Sequence, residues 1–77
     1  MNNWKEEDNK LIKTFVFKSF GDAISWIVKA SFVIEKFNHH PEWTNVYNKV
    51  YVTLTTHDAG NTITEKDREL AVILDSL

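Results

Sequence analysis

All three histidines of this 77-residue chain lie in two short segments. His39 and His40 are adjacent and directly precede Pro41, the only proline, while His57 follows in the second segment. Imidazole is the side chain best suited to accepting and donating protons near neutral pH. A small protein that gathers its histidines in this way is therefore predicted to perform acid–base chemistry or to bind a ligand with them.

A metal site is one alternative use of these histidines. The two adjacent rings project in different directions, no His-x-x-x-His helical spacing is present, and the chain has no cysteine. The carboxylates that could complete a metal shell are Glu35, Glu42, Asp58 and Asp67. We expect no metal, and the other alternative is three exposed loop residues. The favoured interpretation is a cleft in which the imidazoles act as acid, base or hydrogen-bond donor.

Four neighbouring residues could belong to the same cleft. Glu35 is either a solvated helix residue or a partner that fixes a histidine tautomer. Trp43 could offer a flat face to a planar heterocycle, or it could belong to the core. Lys66 and Asp67 fall in the first turn of the last helix and could border the hollow, although helix capping alone would explain Asp67. The sequence leaves both alternatives open for Glu35, Trp43 and Asp67.

Alternation of apolar and polar residues predicts the strands. Residues 10–18 place Leu11, Phe15 and Phe17 on one face, and residues 49–56 place Val50, Val52 and Leu54 on one face. Residues 43–47 form a further strand that turns at Asn48, and a short edge strand is predicted around residues 4–6.

Two helices are predicted from their capping residues and apolar stripes. Ser19 and Asp22 have the form of a capping box, and Asn38 before the Pro41 turn ends the long helix. This helix carries two apolar stripes, so we expect it to be covered on more than one side. Thr64 and Asp67 form a second capping box, followed by a stripe of Leu70, Ala71, Leu74 and Leu77.

The element order predicts an α+β fold over residues 1–77, taken as one domain. It is a four-stranded antiparallel sheet with helices packed on one face, in the order β-β-α-β-β-α. In so short a chain the core is small, and we expect self-association to bury more surface.

Charge and composition exclude several functional classes. Nine basic residues against 11 acidic ones, without a basic run, argue against binding of nucleic acid. The polar N-terminus is unlike a signal peptide, and polar residues interrupt the apolar segment 20–37, so we expect no membrane span. The absence of cysteine excludes a disulfide scaffold and agrees with a cytoplasmic location.

A family resemblance accounts for these residues together. The run Glu-Lys-Phe-Asn-His-His-Pro-Glu-Trp-Thr-Asn-Val-Tyr-Asn-Lys-Val at 35–50 closely resembles the signature of the pterin-4a-carbinolamine dehydratases. Residues 54–60 and 64–67 are similar to the same family, and the resemblance covers nearly the whole chain. The chain differs from the family pattern at Asn38, where many members carry aspartate. It also differs in the segment that begins at Gly60, which is one residue longer than is usual in the family.

The resemblance implies an enzyme that removes water from 4a-hydroxytetrahydropterin to give quinonoid dihydropterin, in tetrahydrobiopterin recycling. It implies no metal or other cofactor, and a homodimer or homotetramer. It implies that His39, His40 and His57 form the active site and that Glu35, Trp43, Lys66 and Asp67 lie at or near it. We therefore expect catalysis by the three histidines and substrate contacts from Glu35, Asn38, Trp43, Lys66 and Asp67. The alternative is a non-catalytic module that binds pterin or serves as a dimerisation or transcriptional cofactor.

Overall fold

The computed structural model describes residues 3–77 as four strands and two long helices. In chain order they are β1 (Lys5–Glu7), β2 (Lys10–Val16), α1 (Phe20–Phe37), β3 (Glu42–Val46), β4 (Lys49–Leu54) and α2 (Glu65–Asp75), with a short 3-10 helix at His57–Ala59 between the last two. The strands form one antiparallel sheet in the order β1-β2-β4-β3. The predicted fold class and element order are confirmed.

The core lies between one face of the sheet and the two helices. The alternation predicted for the central strands is confirmed, because Leu11, Val50, Val52 and Leu54 are fully buried. Each fully buried aliphatic side chain of this kind contributes about 1.5–3 kcal/mol relative to exposure. The helices supply the other half of the core through Ala23, Trp26, Ala30, Ile34, Leu70, Ala71 and Leu74. Side chains on the opposite face of the sheet, such as Val16 and Tyr51, are exposed, so the helices cover one face only.

Strand β4 ends two residues earlier than predicted, and this shapes the loop that follows. Thr55 leaves the sheet, and its hydroxyl donates to the Asn9 carbonyl at 3.2 Å. The Thr56 amide donates to the Thr62 carbonyl at 2.9 Å, in an isolated antiparallel bridge. The alternating sequence continues past Leu54, but the backbone pairs with new partners and begins the loop that carries His57.

The end of α1 is set by Asn38. Its backbone has φ 60° and ψ 40°, the left-handed conformation, and its amide donates to the Ile34 carbonyl at 2.9 Å. Asparagine tolerates this conformation better than most residues with a Cβ atom, so it is a suitable helix terminator. The turn directs the chain into His39 and His40 instead of a further helical turn.

The outer face of α1 is apolar and uncovered by the chain itself. Phe20, Ile24, Val28 and Phe32 are exposed, Phe32 to 72% of its surface. The expected cover on a second side is therefore not supplied from within residues 3–77. Neither α1 nor α2 is long and apolar enough to cross a membrane, nor is any other helix in the described part of the chain.

Candidate active site

A polar cleft of about 300 Å³ opens where the end of α1, the end of β4 and the start of α2 meet. It is lined by Asn38, His39, His40, Thr55, Thr56, His57, Asp58 and Lys66. All three histidines line this one cleft. Each ring has one nitrogen bound to an identified acceptor, and the acceptors differ in charge and burial.

His39 is bound to a buried carboxylate. Its Nε2 lies 2.6 Å from Oδ1 of Asp67, whose side chain is fully buried, while the His39 side chain is 12% exposed. A deprotonated carboxylate can only accept hydrogen bonds, so Nε2 of His39 must carry the proton. The Nδ1 atom is then the nitrogen of His39 that remains for a ligand.

Asp67 is held by two further donors from the loop and from its own helix. Thr56 donates its hydroxyl to Oδ2 at 2.7 Å, and the Thr64 backbone amide donates to the same oxygen at 2.8 Å. Burial raises the pKa of Asp67, but the hydrogen bonds from His39, Thr64 and Thr56 more than offset it, so its pKa lies below the ordinary value. Asp67 is therefore both a helix cap and an ionised partner of His39.

His40 is bound to an exposed carboxylate. Its Nε2 lies 2.7 Å from Oε1 of Glu35, and the two side chains are 56% and 77% exposed. By the same argument Nε2 carries the proton and Nδ1 remains available. An exposed pair of this kind stabilises the fold by only about 0–1 kcal/mol, so the contact orients the ring more than it stabilises the protein.

His57 is bound to a neutral amide. Its Nδ1 lies 2.6 Å from Oδ1 of Asn61 in the same loop. An amide oxygen can only accept, so Nδ1 carries the proton and Nε2 is left for a ligand. The three rings therefore offer Nδ1 of His39, Nδ1 of His40 and Nε2 of His57.

The remaining predicted site residues divide between two hollows. Asn38 and Lys66 line the main cleft with the histidines. Glu35 and Trp43 line a neighbouring hollow of about 170 Å³ that also borders His40. Trp43 packs against Trp26 with ring centroids 6.2 Å apart. The structure therefore places Trp43 partly in the core and separate from the main cleft.

Thr56 and Asn61 belong to this site and are not among the residues predicted from the sequence. The available signal for Asn61 was its position after Gly60, where a short polar side chain can fold back onto the preceding turn. Nothing in the spacing indicated that Thr56 would donate to Asp67, since that contact depends on how α2 packs. Within residues 3–77 no group of three or more histidine, aspartate or glutamate side chains could hold a metal ion.

Comparison with known proteins identifies the family. The family model for pterin 4 alpha carbinolamine dehydratase matches residues 1–77. The chain belongs to this family. A protein of Opitutus terrae named as a candidate pterin-4-alpha-carbinolamine dehydratase is 52% identical over 71 residues, covering 92% of this chain and 73% of the relative. A protein of Rhizobium meliloti with the same name is 49% identical over 77 residues, covering 97% of this chain and 73% of the relative.

Two solved structures share the fold of this dehydratase-family chain. The crystal structure of a transcriptional coactivator/pterin dehydratase from Brucella melitensis has a TM-score of 0.91 and 38% identity, covering 97% of this chain and 81% of that one. A pterin dehydratase-like protein identified as a RuBisCO assembly factor in the alpha-carboxysome has a TM-score of 0.82 and 23% identity, covering 97% and 88%. At that identity the second comparison supports the fold alone.

Proposed function

We propose that the chain dehydrates 4a-hydroxytetrahydropterin to quinonoid dihydropterin and water by histidine acid–base catalysis, in the recycling of tetrahydrobiopterin. The observation that carries this proposal is the cleft in which three imidazoles each have one nitrogen bound and one left for a ligand. Membership of the family supports the choice of a pterin as substrate.

The reaction needs two proton transfers on one planar substrate. An acid protonates the 4a-hydroxyl, the C–O bond breaks, and the hydroxyl leaves as water. The lone pair of the ring nitrogen N5 forms the new double bond to C4a, and a base accepts the proton that N5 loses. One proton enters and one leaves, so neither an oxidant nor a reductant takes part.

The bound partners suggest which histidine takes which step. The ionised Asp67 compensates positive charge on His39, so we assign His39 as the acid that donates from Nδ1. The partner of His57 is a neutral amide, which leaves Nε2 as a lone-pair base. His40 binds the substrate and is oriented by Glu35. Asn38 and Lys66, which line the cleft, bind it as well. Trp43 and Glu35 border the substrate from the neighbouring hollow.

A dehydration assay on synthetic 4a-hydroxytetrahydropterin tests the proposal against the spontaneous reaction. We expect His39→Ala and His57→Ala each to lower kcat by about 10²–10⁴ while both variants remain folded. Tyr51→Phe, on the opposite face of the sheet, is the control and should keep wild-type turnover. A wild-type protein that does not accelerate the reaction would favour the non-catalytic pterin-binding or cofactor module instead.

We also propose that the chain self-associates through the outer face of α1, as a dimer or as a tetramer built from dimers. The exposed Phe20, Ile24, Val28 and Phe32 form a contiguous apolar row along one face of α1, and exposed apolar patches on small proteins are often interaction sites. A stable interface needs about 800 Å² from each partner, so residues flanking this patch would have to contribute as well.

An antiparallel pair of α1 helices would match the patch to itself. If two copies of α1 cross near residue 26, Phe20 lies opposite Phe32 of the second copy, and Ile24 opposite Val28 of the second copy.

A further inference from the structure

The loop from Thr56 to Thr62 fixes the backbone of Asn61 tightly. The Thr56 carbonyl accepts from the amides of Ala59, Asn61 and Thr62 at 3.3, 3.1 and 3.4 Å, and the Thr56 amide donates to Thr62. The Gly60 amide donates to the His57 carbonyl at 3.0 Å. The segment from Thr56 to Thr62 is therefore closed by its own backbone hydrogen bonds, and the backbone of Asn61 is held within it.

Two consecutive residues of this loop are left-handed. Gly60 has φ 83° and Asn61 has φ 59°. Glycine adopts this conformation without cost, and asparagine is among the few other residues that do so readily. A backbone requirement alone would explain an asparagine here, so the side chain must be considered separately.

The side chain of Asn61 reaches back to the ring of His57. Its Oδ1 lies 2.6 Å from Nδ1 of His57, a short and direct hydrogen bond. We propose that Asn61 is a positioning residue that fixes the Nδ1–H tautomer of His57 and aims its Nε2 at the substrate. The inference deepens the proposed dehydratase function and rests on it for its effect on turnover.

The side-chain amide of Asn61 is uncharged, and this matters for the proposed role of His57 as a base. A carboxylate at the same place would favour the charged form of His57, and a charged ring cannot accept the proton from N5. The other charged or titratable groups that line the cleft around His57 are Asp58 of its own turn, His39 and His40 after α1, and Lys66 of α2. Asn61 adds a hydrogen-bond acceptor to this set without adding charge.

Two substitutions separate the backbone role from the side-chain role. Asn61→Gly keeps the left-handed backbone and removes the acceptor, and Asn61→Asp keeps a short acceptor and adds charge. Asn9→Gly is the matched control, because Asn9 is also left-handed with φ 62° and lies outside the cleft lining. The Asn9 carbonyl that accepts from Thr55 is retained in this control.

We expect Asn61→Gly to lower kcat about tenfold with KM little changed, since the ring loses its orientation. Asn61→Asp should shift the acidic limb of the pH–rate profile, where the general base loses its proton, to higher pH by about one unit. The rate of this variant should therefore recover at higher pH. Asn9→Gly should match the wild type. If Asn61→Gly turns over like the wild type, the proposal is overturned.

Nitrogen NMR of the His57 ring provides a readout that needs no turnover. The wild type should show a predominant Nδ1–H form of neutral His57, and Asn61→Gly should show a mixture of tautomers. A protein with this signature but no dehydratase activity would refute the proposed function and leave the positioning role intact. A wild-type ring without the Nδ1–H form would refute the positioning role whatever the activity.

Discussion

At the scale of single residues, the three histidines differ in the groups that hold them. His39 faces a buried carboxylate, His40 an exposed carboxylate and His57 a neutral amide. The same side chain is thus placed in three electrostatic settings within one cleft, which is how an enzyme can obtain an acid and a base from one residue type.

The lowered pKa of Asp67 predicts a pH dependence of stability. A carboxyl with a folded pKa below its unfolded value stabilises the fold fully above the unfolded value, about 3.9 for aspartate. This contribution is lost progressively as the pH falls below that value and through the lower folded pKa. We therefore expect the free energy of unfolding to fall in this acid range.

Urea denaturation of the wild type and Asp67→Asn across pH 2.5 to 7 measures this contribution, a range that spans about 3.9, the reference pKa of aspartate. The free energy of unfolding of Asp67→Asn should decrease less steeply with falling pH than that of the wild type. It should also be less stable at neutral pH by about 1–3 kcal/mol, because one acceptor for buried donors is weakened. Asp58→Asn, a change at an exposed carboxylate, is the control. Parallel acid profiles for the wild type and Asp67→Asn would contradict the prediction.

At the scale of elements, the site depends on where α1 ends. Asn38 is left-handed, and the following residues enter the cleft. Aspartate, which the resemblance implies at this position in many family members, also tolerates the left-handed conformation. The difference at Asn38 therefore concerns the side chain that lines the cleft more than the path of the chain.

Substitutions at Asn38 should separate backbone strain from substrate binding. We expect Asn38→Ala to lower the free energy of unfolding by about 1–2 kcal/mol, since alanine carries a Cβ in the left-handed region. Asn38→Gly should stay within about 0.5 kcal/mol of the wild type. Both should raise KM for the pterin if the amide binds it. Equal stability of the alanine and glycine variants, measured by urea midpoint, would refute the backbone argument.

Much of this architecture could be predicted from local sequence, and the parts that could not be depend on tertiary contacts. The alternation of Val50, Val52 and Leu54 and the cap at Ser19 are local features, and both are observed. The alternation overestimates the length of β4, because the Thr55 hydroxyl binds the distant Asn9 carbonyl and the Thr56 amide pairs with Thr62 in the following loop. The bonds of Asp67 to His39 and Thr56 join segments far apart in sequence, so neither could be deduced from spacing.

At the scale of the whole molecule, residues 3–77 leave the outer, apolar face of α1 uncovered. The predicted stripes are Phe20, Ile24, Ile27 and Ile34 on one side and Ala23, Trp26, Ala30, Val33 and Phe37 on the other. The chain buries members of both stripes, Ile34 of the first and Ala23, Trp26 and Ala30 of the second, and leaves Phe20 and Ile24 exposed. Burial of the remaining face in a second copy would add apolar area that a small core lacks.

Sedimentation equilibrium of single-site variants tests this association. We expect Phe32→Lys to shift the protein toward the monomer, with folding retained because Phe32 is exposed. Val72→Lys is the matched control, an exposed apolar residue on α2. A wild type that remains monomeric at high micromolar concentration would refute the proposed interface.

Thr56 has a consequence for how mutations in this protein combine. Its main chain closes the loop that carries Asn61 and His57, and its side chain donates to the carboxylate that holds His39. The two proposed proton-transfer groups therefore share one support at the end of β4. Substitutions on either side of the cleft should be energetically coupled through this residue, so their effects on turnover should not multiply as those of independent sites do. The two proposed proton-transfer histidines would then vary in evolution as a single unit.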